Sequence, residues 1–251
     1  LRASLGQTGN DAVSAYQYLQ SYSFGGNFVF GTGTAAGLNP GTMPNPNITW
    51  EKSTKYDLGL ESLFWNGLLG AEVTLFQEHR TDILARRNLS IPETFGFPSL
   101  PDENIGEVKN KGFEIVLTHR KSFADFSYNI SGNISYAKNK IIFMDETPNV
   151  EEYQNQTGHP VGAGLYYQAD GIFNTQEELD SYPHHKSTQV GDPKIIDLNE
   201  DGVIDSNDRF RFDYTSTPTT VFGLNIGLMY KGFDLSALIQ GQTGAYNYDG
   251  D

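Results

Sequence analysis

From Phe126 to Tyr136 the chain alternates between apolar and polar residues. Phe126, Tyr128, Ile130, Ile134 and Tyr136 fall on one face. Ser127, Asn129, Ser131, Asn133 and Ser135 fall on the other, and Gly132 fills the one gap in the apolar face. Period 2 sustained over this length is the signature of a β-strand, because successive side chains point to opposite faces; an amphipathic helix does not read that way. The same reading predicts strands over 56–65 (Tyr56, Leu58, Leu60 and Phe64 together), 68–77 (Leu69, Ala71, Val73, Leu75) and 111–120 (Phe113, Ile115, Leu117). Two more are predicted over 221–230 and 233–242, and another over 1–5.

The connections carry as much information as the strands. Asn66-Gly67 is a strong hairpin signal, since both residues tolerate positive φ, and it predicts a two-residue turn. Tight turns are also expected at Ser122-Phe123-Ala124 and at Lys231-Gly232. Between the hairpins lie a Gly- and Asn-rich stretch through Ser53, an irregular stretch to about Lys109 with Pro92, Pro98 and Pro101, and a long region over 139–219. About seven strands thus alternate strictly between long and short connections. That is the weave of an all-β, antiparallel, up-and-down transmembrane β-barrel, with short periplasmic turns and long extracellular loops. A soluble sandwich also uses hairpins. It rarely places loops of roughly 30 to 80 residues at every second connection, because most connections are short.

The strand faces fit a membrane wall. Leu58, Leu60, Val73, Leu75, Ile115, Leu117, Ile130, Ile134, Ile226, Leu228, Leu235 and Ile239 share the apolar side. Gly59, Glu61, Glu72, Thr74, Glu114, Asn129, Asn133, Asn225, Gly227, Ser236 and Gln240 share the other. Apolar residues would meet lipid and polar ones line the lumen. Aromatics gather near strand ends (Tyr56, Phe64, Trp65, Phe113, Phe126, Tyr136, Tyr230, Phe233), as interfacial girdles require.

Composition narrows the functions. A net charge of −14 argues against a nucleic-acid partner, which needs basic surface. With no cysteine there is no disulfide scaffold, thiolate metal site or thiol nucleophile. No apolar run approaches the length of a transmembrane helix. The chain begins at Leu1, not Met, and reads as a segment of something longer. No catalytic motif is visible, so no enzyme is expected. Glu151-Glu152 and Glu177-Glu178 read as surface pairs, and His184-His185 is a weak metal candidate. Tyr166, Tyr167 and Phe173 could stack on sugars or pack the loop itself.

The sharpest motif runs from Asp197 to Asp208. Asp197, Asn199, Asp201 and Asp208 occupy positions 1, 3, 5 and 12 of an EF-hand-type loop. Gly202 makes the turn at position 6, Val203 offers its carbonyl at 7, and Ile204 anchors position 8. Hard Ca²⁺ takes six to eight oxygens, and these residues, with Asp205 through water, supply them. Asp208 replaces the usual glutamate and is shorter. The expectation is structural calcium at Asp197, Asn199, Asp201, Val203 and Asp208, ordering the 139–219 loop.

Six phrases, in order, resemble SusC/RagA-type TonB-dependent outer-membrane transporters: 1–11 (LRASLGQTGND), 45–52 (NPNITWEK), 110–114 (NKGFE), 170–173 (DGIF), 190–194 (VGDPK) leading into 197–208, and 230–234 (YKGFD). They span nearly the whole chain. The resemblance implies that 1–251 is part of a 22-stranded plugged barrel in the cell outer membrane. It also implies a SusD-like surface lipoprotein partner and import of a glycan or peptide substrate. Energy would come from TonB through an N-terminal region absent here. The competing expectation is a soluble calcium-stabilised β-rich carbohydrate-binding module, which would have to bury one sheet face.

Overall fold

A computed structural model describes residues 1–87, 100–146 and 151–247. Pro92 and Pro98 of the irregular stretch lie outside the described residues. The chain runs through β1 (Arg2–Asn10), a hairpin of β2 (Tyr22–Phe30) and β3 (Gly33–Pro40), then β4 (Glu51–Phe64), β5 (Leu69–Arg86), β6 (Asp102–Phe123) and β7 (Phe126–Phe143). A lobe follows over 144–219, holding β8 (Leu165–Tyr167), β9 (Ala169–Ile172), helix α1 (Gln176–Ser181), β10 (Pro193–Ile195) and β11 (Arg209–Arg211). The chain then returns to β12 (Thr220–Tyr230) and β13 (Phe233–Thr243).

Seven strands form one antiparallel sheet in the order β1-β4-β5-β6-β7-β12-β13. Within this sheet the three hairpin turns (β4–β5, β6–β7, β12–β13) fall at one end and the three long connections at the other. No helix among the described residues is long and apolar enough to cross a membrane.

Register lines up the apolar positions. Leu60, Val73, Ile115, Ile134 and Phe222 stand side by side across five strands. Next to that row lie Ala71, Leu117, Gly132, Leu224 and Ile239. On β7 the apolar band runs from Phe126 to Tyr136. Ten steps of about 3.3 Å make roughly 33 Å; a strand tilt of about 40° brings that to roughly 25 Å, the height of a membrane barrel's apolar band. Phe123, Phe126, Tyr230 and Phe233 line up in register beside the short turns. Toward the other end Phe113 stacks on Tyr136 with centroids 5.7 Å apart. The apolar face is open: Leu58, Leu60, Leu75, Leu117, Ile130, Ile134, Phe222, Leu235 and Ile239 are all exposed. A soluble module would bury this face, so that reading is not favoured.

The sheet departs from the expected outline in three ways. Strands run further than the alternation suggests: β5 reaches Arg86, β6 begins at Asp102 and β7 reaches Phe143. These extensions are held by polar contacts such as Arg80–Glu51 at 2.9 Å and Lys55–Glu78 at 3.8 Å. Asn104 adds hydrogen bonds to the carbonyls of Thr49 (2.7 Å) and Asp82 (2.8 Å). Second, the Gly- and Asn-rich stretch contains the β2–β3 hairpin, bulged between Phe24 and Asn27. Third, the turns shift. Trp65 joins Asn66 and Gly67 at positive φ, so pairing closes at Phe64–Leu69 and the connection spans 65–68. The next turn is Ala124-Asp125, because Ser122 and Phe123 are paired with Ser127 and Phe126. Lys231-Gly232 forms the expected two-residue turn, with φ of 45° and 86°.

Candidate cation-binding lobe

The buried aliphatic and aromatic side chains among the described residues are Ile141, Ala163, Phe173, Leu179 and Ile204. All lie in the lobe or at the end of β7 beneath it. The lobe therefore has its own small core. Phe173, 1% exposed, is its centre, flanked by Tyr182 and by the ring of His184. It packs the loop and does not offer a stacking surface; Tyr167 stays exposed. Thr175 caps α1 by accepting from the Glu178 amide, and Leu179 drops from that short helix into the core.

Two of the quoted phrases meet here. The Phe173 amide donates to the Asp192 carbonyl (3.0 Å) and the Gly191 amide to the Phe173 carbonyl (2.8 Å), beside the β9–β10 pair. The chain then enters the acidic loop, where the Asp197 amide donates to the Tyr182 hydroxyl at 3.3 Å.

Within 197–208 the side chains of Asp197, Asn199, Asp201, Asp205 and Asp208 each accept from a backbone amide, and Asp201 also accepts from the Asn199 side chain at 2.9 Å. Asp197 accepts from the amides of Asp201 (3.3 Å) and Gly202 (2.8 Å). Asn199 accepts from Asp201 at 3.3 Å, and Asp201 from Val203 at 2.8 Å. Gly202 takes φ +82°, the left-handed value its position requires. Ile204 is buried, as an anchor at position 8 must be. Asp205 caps the 3₁₀ turn over 206–208, and Asp208 closes a capping box with it.

Asp208 is the most unusual group. Its side chain is fully buried, and its two oxygens accept from the Leu198 and Asp205 amides at 2.9 and 2.8 Å. No cationic side chain pairs with it in the salt bridges of the described residues. A buried carboxylate is costly without compensation, and here two backbone amides bond its oxygens with no cationic side chain beside them. Nearby, burial and then the negative charge of Glu151, Asp208, Asp201 and Asp197 hold the Tyr153 hydroxyl above the usual phenol range. Its hydroxyl donates to the Asn207 carbonyl at 2.6 Å. Buried Gln154 donates to the carbonyls of Ser206, Asn207 and Arg209 (2.8–2.9 Å), fixing the loop's end. Among the described residues, however, no three His, Cys, Asp or Glu side chains converge closely enough to hold a metal. The predicted ligands share one loop, but their oxygens face amides and not one another. His184 is tied through Nδ1 to the Tyr182 carbonyl at 2.8 Å.

Two carboxylates, Asp213 and Glu146, help fasten the lobe, and neither was evident from sequence, since their partners lie elsewhere in the chain. Asp213 accepts from Lys138 and from His159 Nδ1, both at 2.8 Å. Burial alone would raise its carboxyl, but these contacts hold it below the usual carboxylate range. Glu146 accepts from the amides of Gln156 and Thr157. Its burial is likewise outweighed by those bonds and the charge of Arg211, and its carboxyl is depressed.

Comparison with known proteins agrees with this architecture. The family model for the TonB dependent receptor-like β-barrel matches residues 1–251. The chain is 30% identical to TonB-dependent receptor P26 of Formosa agariphila, across 99% of its own length and 26% of that protein's. It is 24% identical to the TonB-dependent receptor SusC of Bacteroides thetaiotaomicron, across 81% of this chain and 20% of that one. Among solved structures, the RagAB peptide importer in its open-open state superposes with a TM-score of 0.72 at 23% identity, over 97% of this chain and 26% of that one. The chain thus spans about a quarter of the length of these relatives.

Proposed function

Since the chain belongs to the TonB-dependent receptor family of outer-membrane proteins, we propose that it forms part of the wall and outer lobe of a nutrient importer. In this reading the whole protein takes up oligosaccharides or peptides, is energised through TonB and works with a SusD-like surface lipoprotein. The observation that carries it is the sheet itself. One face is an open apolar band of membrane height, the other is polar, and every long connection leaves from the same end. The relatives are named as receptors and transporters, and transport without catalysis is the corresponding role. The test is deletion of the full-length gene in its own bacterium, followed by growth on a panel of oligosaccharides and peptides. Growth should fail on one class of oligomer and persist on its monomers. Unchanged growth on every oligomer would contradict the assignment.

The same reading gives the lobe a hard cation, Ca²⁺, held by Asp197, Asn199, Asp201, the Val203 carbonyl and Asp208. Support comes from the left-handed Gly202, the buried Ile204 and the fully buried Asp208 carboxylate. Binding would require these oxygens to turn from the backbone amides toward a common centre. The cation would add a positive charge beside the buried Asp208 carboxylate and would fix the lobe.

A further inference from the structure

Lysines cluster at one place on a chain that is otherwise strongly acidic. Lys111 stands directly opposite Lys138, and Lys109 directly opposite Lys140, on the paired strands β6 and β7. By register all four lie on the same face as Phe113 and Tyr136, immediately beyond that aromatic pair. All four are exposed. Like charges directly opposite one another destabilise a sheet, so this arrangement calls for an anion.

The neighbouring groups do not supply enough. On β5 the adjoining residues are Gln77 and His79. Glu107 is engaged by His79. From the lobe, Asp213 is shared between Lys138 and His159. Of the four ammonium groups only Lys138 is ion-paired among the described residues, and its Asp213 is shared with His159. Lys109, Lys111 and Lys140 make no ion pair among the described residues.

The place of the cluster suggests the ligand. Below Lys111 a groove opens on the apolar face, floored by Leu58 and Leu75 and walled by Tyr56, Phe113 and Tyr136. Its lower part suits an acyl chain. Its upper rim lies where lipid head groups sit, just outside an aromatic girdle. We propose that this surface binds a phosphate-bearing glycolipid of the outer leaflet, with an acyl chain against Leu58 and Leu75 and the phosphate on Lys109, Lys111 and Lys140. Basic pockets on a membrane protein's lipid-facing side recognise anionic head groups in this way. The assignment rests on the preceding reading only in that the apolar face meets lipid.

The experiment uses the full-length protein from its own outer membrane, purified in mild detergent and examined by native mass spectrometry for bound glycolipid. Each lysine near a charged surface contributes about a fivefold gain. The triple variant K109Q/K111Q/K140Q should therefore retain about a hundredfold less. K55Q, which removes a lysine from the opposite, polar face, should retain as much as wild type. Delipidated wild type should also take up the host's lipopolysaccharide far better than the same material treated with phosphatase. Equal retention by the triple variant, or equal uptake of treated and untreated lipid, would overturn the proposal. Spin labels on β7 separate the two failures. If Ile130 still reports lipid contact while retention is unchanged, the lysine site is wrong and the lipid-facing sheet stands.

Discussion

The sheet and the lobe invert each other. Across β1, β4–β7, β12 and β13, large apolar side chains point outward and are left open, with Ile130 37% exposed and Leu235 63%. In the lobe, Phe173, Leu179 and Ile204 turn inward and are buried. The same chain therefore folds against two solvents. Backbone pairing holds the sheet, because in lipid each amide must be satisfied internally and the apolar face gains nothing by hiding. The lobe sits in water and follows the ordinary rule, with a small core, capped turns and carboxylates bonded to amides. Changes that damage one region should leave the other intact.

The largest effect is expected in the lobe core. Phe173→Ala should cost about 3–5 kcal/mol of local stability. Hydrogen exchange of the full-length protein should then show faster opening over 144–219 and unchanged protection over 126–136. Coupled loss of both would join what the comparison separates. On the sheet, Ile130→Arg lies near the middle of the band from Phe126 to Tyr136 and should cost about 2–4 kcal/mol. Asn129→Arg, one residue away on the polar face, should be tolerated far better. Equal costs in reversible unfolding of the full-length barrel would sink the facing assignment.

The cation contributes next. At a calcium concentration of 100 times its dissociation constant, binding stabilises the folded lobe by about 2.7 kcal/mol. Chelation should speed proteolysis within 144–219 and spare the strands, and Asp197→Ala should abolish the difference. Cleavage that ignores chelator would reduce the motif to an acidic turn. The smallest effect is acid loosening. Asp213 and Glu146 are held below their unfolded values, which are about 3.9 and 4.3. Their stabilisation is therefore complete above those unfolded values and is lost as pH falls through the lower folded ones. Asp213 is 46% exposed, so solvent screening keeps its share modest. Pepsin, active in that range, should cut the lobe faster as pH drops below about 4, and Asp213→Asn should flatten the response.

The membrane portion was legible because lipid imposes strict alternation. Nothing but a strand explains Phe126 to Tyr136, and Lys231-Gly232 specified its own turn. Beyond the girdle that constraint ends. The stretch from Asp102 to Lys109 is polar and irregular as a pattern, yet it pairs with β5 across two register shifts, with Asn104 bonded to the carbonyls of Thr49 and Asp82. The hairpin of β2 and β3 was hidden by its glycines and its bulge. In the lobe the acidic loop could be read, since its spacing is local. Its core could not, because Phe173, Leu179 and Ile204 converge from separate segments with no shared period. The lysine cluster needed the register: Lys109 and Lys111 meet Lys138 and Lys140 only once β6 and β7 are paired.

The division between lipid and water can be read most directly on β7. Single nitroxide labels placed at each position from Phe126 to Tyr136 in the full-length protein, reconstituted in bilayers, report collision with oxygen and with a water-soluble relaxation agent. The account predicts strict alternation. Labels at Tyr128, Ile130, Gly132 and Ile134 favour oxygen, and labels at Asn129, Ser131, Asn133 and Ser135 favour the aqueous agent. Labels at Glu177 and Asp180 on α1 should favour the aqueous agent alone. Uniform accessibility along β7, or alternation in the opposite phase, would contradict it.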